Sequence, residues 1–516
     1  MRAAKKGDSA ARVRCRILPS LATKSDAGIA AFPLALHDAQ SVIAREHGFD
    51  SWTALCEQVE ELTLSFNKSV GEFLRCATAH NRDRAERLLA IHPGIAAANF
   101  HTALVLGDIG RAESRLAKNP VLATARGGPR DWEPLLYVCQ TCLHRCSPER
   151  TAGLVAIARR LLELGANPNA SSPWRGDPAA PLSALWGAAC EARIPALVGL
   201  LLDAGASVND GESIYHAAEN GDVAMLDLLL AHGVHVDGGE NNRWGNTPLY
   251  LILGHSPGSA QADTVRAGAQ WLVAHGADPN RICYPDGCAE TPLHAAARGW
   301  DPPMLELLVR HGAQIGARRA DGRTPFALAA LLGNRAAAAW LKSRGAADEL
   351  GPAERFVAAC TSGDRDAAAA MLRVDQGLRD TVARDANARR LLHKVAARGD
   401  AAALETMLVC GFDIDARDEG GATALHWAAW HGWLEATRLL LSRGARVDVN
   451  DKEFDAPPLG WADHGSVNCR QPRGDYAGVA LALLRAGSPV DRDASSCAPA
   501  VQEALVEFRR ENTPGS

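Results

Sequence analysis

The sequence predicts an all-α solenoid of about twelve helix–turn–helix units closed by capping helices. Three observations point to it: a glycine-led loop recurs down the chain, an amphipathic helix precedes each loop, and a Thr-Pro start opens the strongest units.

The loop has the form Gly-small-x-x-Asn/Asp. It reads GANPN at Gly165, GASVN at Gly205, GVHVD at Gly233 and GADPN at Gly276. It returns as GAQIG at Gly312, GAADE at Gly345, GFDID at Gly411, GARVD at Gly444 and GSPVD at Gly487. Successive spacings are 40, 28, 43, 36, 33, 66, 33 and 43 residues, and 66 is twice 33. A unit with a degraded loop therefore lies between Gly345 and Gly411. A helix that ends in a left-handed residue takes glycine there at no steric cost, so this position repeats.

The segments before the loops, such as ARRLLELGA, MLDLLLAHG and ATRLLLSRGA, carry apolar residues at helical spacing. The opening motif is TPLYLILG at Thr247, TPLHAAARG at Thr291, TPFALAALLG at Thr324 and TALHWAAWHG at Thr423. A threonine hydroxyl there suits a helix N-cap, where it accepts from first-turn amides. Proline at the first helical position loses only an amide that had no partner. The alanines that follow let a short inner helix pack closely.

Together these features resemble the ankyrin repeat, whose start is T-P-L-H-x-A and whose period is about 33. The best matches are 291–315, 324–345 and 423–448, and the resemblance covers roughly residues 70–493. It implies a hairpin-like turn and two antiparallel helices per unit. It implies that His294, His393 and His426 hydrogen-bond between loops. It also implies that partners meet the hairpin tips and the exposed side of the inner helices. By motif position those sites include Trp244, Asn246, Glu290, Arg298, Arg323, Trp430 and His431. Trp and Arg are enriched among interface hot spots. Trp427, Trp430 and Trp433 stand at helical spacing beside Trp461. Trp427 is expected in the core and Trp430 at the surface. The alternative is that all four pack between units.

Residues 1–28 form a basic leader expected to lack structure: Arg2, Lys5, Lys6, Arg12, Arg14, Arg16 and Lys24 face only Asp8 up to residue 25. A misassigned start or a transit peptide would also fit. Residues 29–68 read as a helical N-terminal cap with Phe49 and Trp52 as anchors. The repeats follow as two arrays, 69–352 and 353–493, divided at Leu350-Gly351-Pro352, unless that division is only a divergent repeat. Residues 494–516 supply a capping helix and tail.

Composition narrows the function. Lys+Arg 55 against Asp+Glu 60 gives a net charge of −5, which argues against a nucleic-acid binder. No run approaches the roughly 20 apolar residues that span a membrane. The 13 cysteines are odd in number and mostly fall in apolar helical patterns, as reduced thiols would in the cytoplasm.

Three segments imitate catalytic or metal motifs. Gly254-His255-Ser256-Pro257-Gly258 fits G-x-S-x-G, yet Pro257 lacks the amide that an oxyanion hole needs. Cys139, Cys142, His144 and Cys146 have zinc-like spacing. On a helix, however, the three cysteines share one face, as core thiols would. Asp413, Asp415 and Asp418 resemble a calcium loop but for Arg417 at the fifth position. No metal, cofactor or catalytic residue is assigned.

A stacked array offers a broad rigid face and no deep closed cavity, which suits recognition more than catalysis. The expected function is a non-enzymatic scaffold: monomeric, bacterial and cytoplasmic, holding another protein, with no nucleic acid or membrane as partner. The alternative is a secreted effector or an enzyme inhibitor.

Overall fold

The computed structural model describes residues 8–18, 21–22, 24–32, 36–49, 52–79, 81–143, 147–174, 177–239, 245–255, 261–284, 287–469, 471–489 and 497–511. Packing divides the chain into two compact units. One comprises Val59–Ala296 and Pro303–Gly322; the other comprises Met1–Gln58, Ala297–Pro302 and Arg323–Ser516.

The chain opens with α1 (Ser9–Cys15), α2 (Asp26–Ala31), α3 (Leu36–Glu46) and α4 (Trp52–Thr63). Part of the basic leader is thus folded, against expectation. Asp8 caps α1 by accepting from the Ala10 and Ala11 amides. Cys15, Leu18, Leu21, Ile29, Phe32 and Val42 make a small core. Arg14 pairs with Glu46 at 2.6 Å and Arg16 with Asp26 at 2.5 Å. The arginines find Asp26, at the leader's own end, and Glu46 of α3, 32 residues from Arg14.

The unit from Val59 begins with α5 (Phe66–Ala77), α6 (Arg82–Ile91), α7 (Phe100–Leu106) and α8 (Ile109–Lys118). These are the two helix pairs with Pro-containing loops, each loop closing as a 3-10 turn at Pro93 and Pro120. Glu61, near the end of α4, is fully buried between Arg84 and Arg87, 3.5 and 3.0 Å away. Next come α9 (Pro134–Cys139) and α10 (Pro148–Glu163).

A two-stranded antiparallel hairpin follows, β1 (Ser171–Trp174) and β2 (Asp177–Ser183), in the register Ser171 to Ser183 and Ser172 to Leu182. Neither SSPW nor DPAAPLS alternates apolar and polar residues, so the sequence alone carries no strand signal there. The hairpin leads into α11 (Ala184–Trp186), which continues as a π-helical turn over Gly187–Ala192. The unit then runs through α12 (Pro195–Asp203), α13 (Ser213–Glu219), α14 (Val223–Ala231), α15 (Pro248–Leu253), α16 (Ala262–Ala274), α17 (Pro292–Ala297) and α18 (Pro302–Arg310).

The unit from Arg323 contains α19 (Pro325–Leu331), α20 (Arg335–Ser343), α21 (Pro352–Thr361) and α22 (Arg365–Val374). A short α23 (Leu378–Arg384) stands where the degraded loop was expected. Then follow α24 (Ala386–Arg398), α25 (Ala401–Val409), α26 (Ala424–Trp430), α27 (Leu434–Ser442), α28 (Pro458–Asn468), α29 (Tyr476–Arg485) and the C-terminal α30 (Pro499–Glu511). One core runs from Leu331 through Phe356, Leu404 and Leu440 to Leu505. Packing continues across Pro352: Thr361 Oγ1 of α21 donates to the Ala330 carbonyl of α19 at 3.5 Å, and Arg398 of α24 donates to the Leu332 carbonyl.

The loop glycines behave as their recurrence implied. Gly165, Gly205, Gly233, Gly276, Gly312, Gly345, Gly411, Gly444 and Gly487 all have φ between 85° and 99°. The Asn or Asp that closes each loop also gains a reason. Asn169 Oδ1 accepts from the Ser207 amide, Asn209 from His235, Asn280 from Gln314 and Asp415 from Arg446, at 2.8 to 3.1 Å. These four loops are thereby laced to the loops that follow them, and the bonds satisfy loop amides that have no helical partner. No described helix is long and apolar enough to cross a membrane.

Candidate partner-binding surfaces

The Thr-Pro motif residues are engaged inside the stack. Thr247 and Thr324 cap their helices by accepting from the Tyr250 and Ala327 amides, at 3.1 and 3.2 Å. At Thr291 and Thr423 the hydroxyl meets the histidine three residues on instead, at 2.8 and 2.9 Å. The Thr423 amide also donates to His426 Nδ1 at 3.0 Å. A ring nitrogen that accepts from an amide carries no hydrogen, so Nε2 is the protonated one. It donates to the Ala456 carbonyl in the following unit, 3.3 Å away. His393 Nε2 meets the Ala416 carbonyl at 2.8 Å. These histidines link loops, as the resemblance implied.

The positions expected to meet a partner have different environments. Trp244 lies outside the described residues. Asn246 is half-buried, and its carbonyl accepts from Tyr215 Oη at 2.9 Å. Glu290 is only 1% exposed. Its carboxylate accepts from Tyr250 Oη at 2.8 Å and pairs with Arg319 at 2.5 Å. This corrects its reading as a surface contact. The hairpin position is right, but partners 40 and 29 residues away draw the side chain inward. Arg298 is half-buried. Arg323 sits 3.6 Å from Glu354. His431 takes the Cys469 thiol on Nδ1 at 3.2 Å, and burial lowers its basicity.

Trp430 belongs to an aromatic cluster built by α26, α28 and the loop that leads from α27 into α28. It meets Trp461 edge to face at 5.9 Å and His464 at 5.5 Å. Trp461 also contacts His426, Trp427 and Phe454. Trp427, Trp433 and Trp461 donate their indole N–H groups to Asp418, the Ala397 carbonyl and Asp451, at 2.7 to 2.9 Å. All four tryptophans are half-buried: Trp427 and Trp430 pack on Trp461 of the following unit, and Trp433 reaches back to the Ala397 carbonyl of the preceding one.

Sequence reasoning missed Phe454, 56% exposed, and His464, also exposed. Their signal was present in DKEFDAPPLGWADHG, where an aromatic stands three residues after the acid that anchors the tip. Asp451 is that anchor. It is buried, and its carboxylate accepts from Trp461 and from the Glu453, Phe454 and Ala456 amides. Burial pushes its pKa up, but these hydrogen bonds outweigh burial and leave it lowered. The exposed Glu453 and Asp455 flank Phe454 and add negative charge to the patch.

A second feature lies in the unit from Val59. The hairpin and the inner helices α11, α13 and α15 line an open cleft of about 350 Å³. Its walls are Trp174, Leu182, Trp186, Glu212, Tyr215, His216, Asn246 and Leu251. The inserted hairpin supplies a wall that stacked helices lack, and the cleft it forms is open to solvent and not a closed cavity.

The catalytic look-alikes have structural surroundings. Ser256, Pro257 and Gly258 lie outside the described residues, as do His144 and Cys146. Cys139 and Cys142 are buried, and burial raises the Cys139 thiol pKa. Asp413 and Asp418 accept turn amides, while Asp415 takes the Arg446 amide of the next loop. Among the described residues no group of three or more His, Cys, Asp or Glu could hold a metal ion.

Paired helices, left-handed loop glycines and side chains that lace loop to loop define an α-helical repeat protein. The family model "Ankyrin repeats (3 copies)" matches residues 259–349 and 356–451. Cyclin-dependent kinase 4 inhibitor B of Bos taurus is 35% identical over 128 residues, which is 25% of this chain and 88% of that protein. Cyclin-dependent kinase inhibitor 2A of Homo sapiens is 34% identical over 25% of this chain and 73% of its own length. Palmitoyltransferase Hip14 of Drosophila melanogaster is 33% identical over 19% of this chain, but only 14% of that enzyme is covered. Among solved structures, the crystal structure of the human ASB11 ankyrin repeat domain shares 25% identity. It aligns with a TM-score of 0.36 over 49% of this chain and 99% of its own. The chain belongs to the ankyrin-repeat family.

Proposed function

We propose that the chain is a non-enzymatic scaffold that holds another protein on its loop tips and inner helices. The patch of exposed Phe454 and His464 backed by the half-buried Trp430 and Trp461 carries this reading. The motif histidines and threonines are engaged within the fold, whereas this patch leaves Phe454 and His464 in solvent. Large aromatic side chains on a rigid support are the usual anchors of protein interfaces. Glu453 and Asp455 beside them favour a partner segment that is basic as well as apolar. Twelve described cysteines are free, which suits a reducing compartment such as the cytoplasm.

A photo-crosslinking residue placed at position 464 tests this. It should trap a partner that the same residue at position 438, on α27, does not trap. Equal trapping from both positions would remove the patch from the interface.

A second reading, inhibition of a target enzyme, draws on the relatives whose names describe kinase inhibitors. It requires that the trapped partner be an enzyme whose turnover falls stoichiometrically with added chain.

A further inference from the structure

Eight of the twelve described cysteines are buried, beyond the reach of a reagent in solvent. Cys469 is half-buried, and it has a base at its sulfur. Its thiol donates to His431 Nδ1 at 3.2 Å. His431 ends α26 and Cys469 ends α28, so the pair joins two consecutive units. Burial lowers the His431 pKa, which leaves the ring neutral at pH 7 and Nδ1 able to take a proton. Tyr476 Oη, at the start of α29, is the third group at the sulfur. The end of a helix disfavours negative charge, so the resting group is the thiol and not a thiolate.

The chain that leads from α28 into α29 is fastened to the end of α26, which fixes this geometry. The Asp475 amide donates to the Gly432 carbonyl at 2.8 Å. Tyr476 Oη donates to the Trp430 carbonyl at 3.3 Å and accepts from the Gln471 amide at 3.1 Å. Gly474 approaches so closely that a Cβ there would lie 2.8 Å from the His431 carbonyl oxygen. Backbone contacts on both sides therefore set the sulfur against the ring.

We propose that Cys469 is a modification site, a nucleophilic thiol with His431 as its general base, and that it takes small disulfides to form a mixed disulfide on the chain. Cys469 Sγ attacks one sulfur of the disulfide. The Sγ–S bond forms as the S–S bond breaks, and the thiol proton passes to His431 Nδ1. The other half leaves as a thiolate, which takes a proton from the imidazolium. The disulfide is the oxidant: Cys469 is oxidised and the departing sulfur is reduced. A second small thiol reverses the exchange by the same route. This chemistry is independent of the scaffold reading above.

The test treats the full chain with 2-hydroxyethyl disulfide, a small neutral probe, at pH 6 and pH 7. The adduct at each cysteine is followed by peptide mass spectrometry. An unassisted thiol reacts through its thiolate and slows about ten-fold from pH 7 to pH 6. Cys56, exposed on α4, is the reference. Cys469 should slow less than about three-fold over that interval, and at pH 6 it should react at least about ten-fold faster than Cys56. His431→Gln should slow Cys469 about ten-fold at pH 6 and restore the ten-fold pH dependence, with Cys56 unaltered. Cys360 and Cys410, buried in the same core, report any loss of fold and should stay unlabelled. If His431→Gln exposes them, the wild-type comparison at the two pH values decides. Cys469 labelling no faster than that of Cys56 at pH 6, or a Cys469 rate that His431→Gln leaves unchanged, overturns the proposal.

Discussion

Trp430 and Trp461 meet edge to face with centroids 5.9 Å apart, but their indoles are held differently. Trp461 donates to Asp451 at 2.9 Å, while no described residue accepts from Trp430. The first ring is fixed within the fold and the second is supported by it. Trp461→Ala should therefore cost about 3 kcal/mol and Trp430→Ala about 1 kcal/mol or less. Denaturant unfolding followed in both variants checks this, and equal losses would contradict it.

Asp451 holds the tip that presents Phe454. Asp451→Ala removes the acceptor of one indole and three amides. The expected cost is about 2–3 kcal/mol, with faster hydrogen exchange at the 453, 454 and 456 amides. Unchanged exchange there would show that the tip is held by something else.

His426 makes stability depend on pH. Burial is the main reason its pKa falls to about 4 from 6.5. As pH drops below 6.5 the unfolded chain binds the proton while the folded chain does not. Stability from this residue is therefore intact above about 6.5, falls as pH approaches 4, and does not change further below it. The full difference is on the order of 3 kcal/mol. Comparing the stability of wild type and His426→Gln at pH 7 and pH 4.5 checks it. The wild type should lose more, and parallel losses would refute the assignment.

Gly268 of α16 and Gly199 of α12 should respond oppositely to alanine. A Cβ at Gly268 would overlap the Ala218 carbonyl, while nothing lies within 4 Å of one at Gly199. Alanine in a helix ordinarily gains about 1 kcal/mol over glycine, so Gly199→Ala should stabilise. Gly268→Ala should destabilise by about 2 kcal/mol through overpacking. Thermal unfolding of the two variants reads the sign directly.

The repeats were legible because their signals are local. A loop glycine with positive φ, a Thr or Pro at a helix start and an apolar stripe each declare themselves within a few residues. Features decided by distant residues were not legible. Glu290 was expected at the surface, and Tyr250 and Arg319 hold it inside. The α1 leader looked unstructured until its arginines met Glu46 and Asp26. The hairpin at 171–183 has no alternating apolar pattern; it is held by Asp210 and Gln140, neither within the hairpin, and with it the cleft stayed hidden. Trp430 was singled out from its register, but Phe454 and His464 needed the fold of the tip.

The most direct test is quantitative capture of the crosslinked partner by full-length wild type and by Trp430→Ala, each normalised to folded protein. The account predicts at least about ten-fold weaker capture by Trp430→Ala, with stability changed by no more than about 1 kcal/mol. A Trp430→Ala chain that holds the partner as tightly as wild type would contradict it.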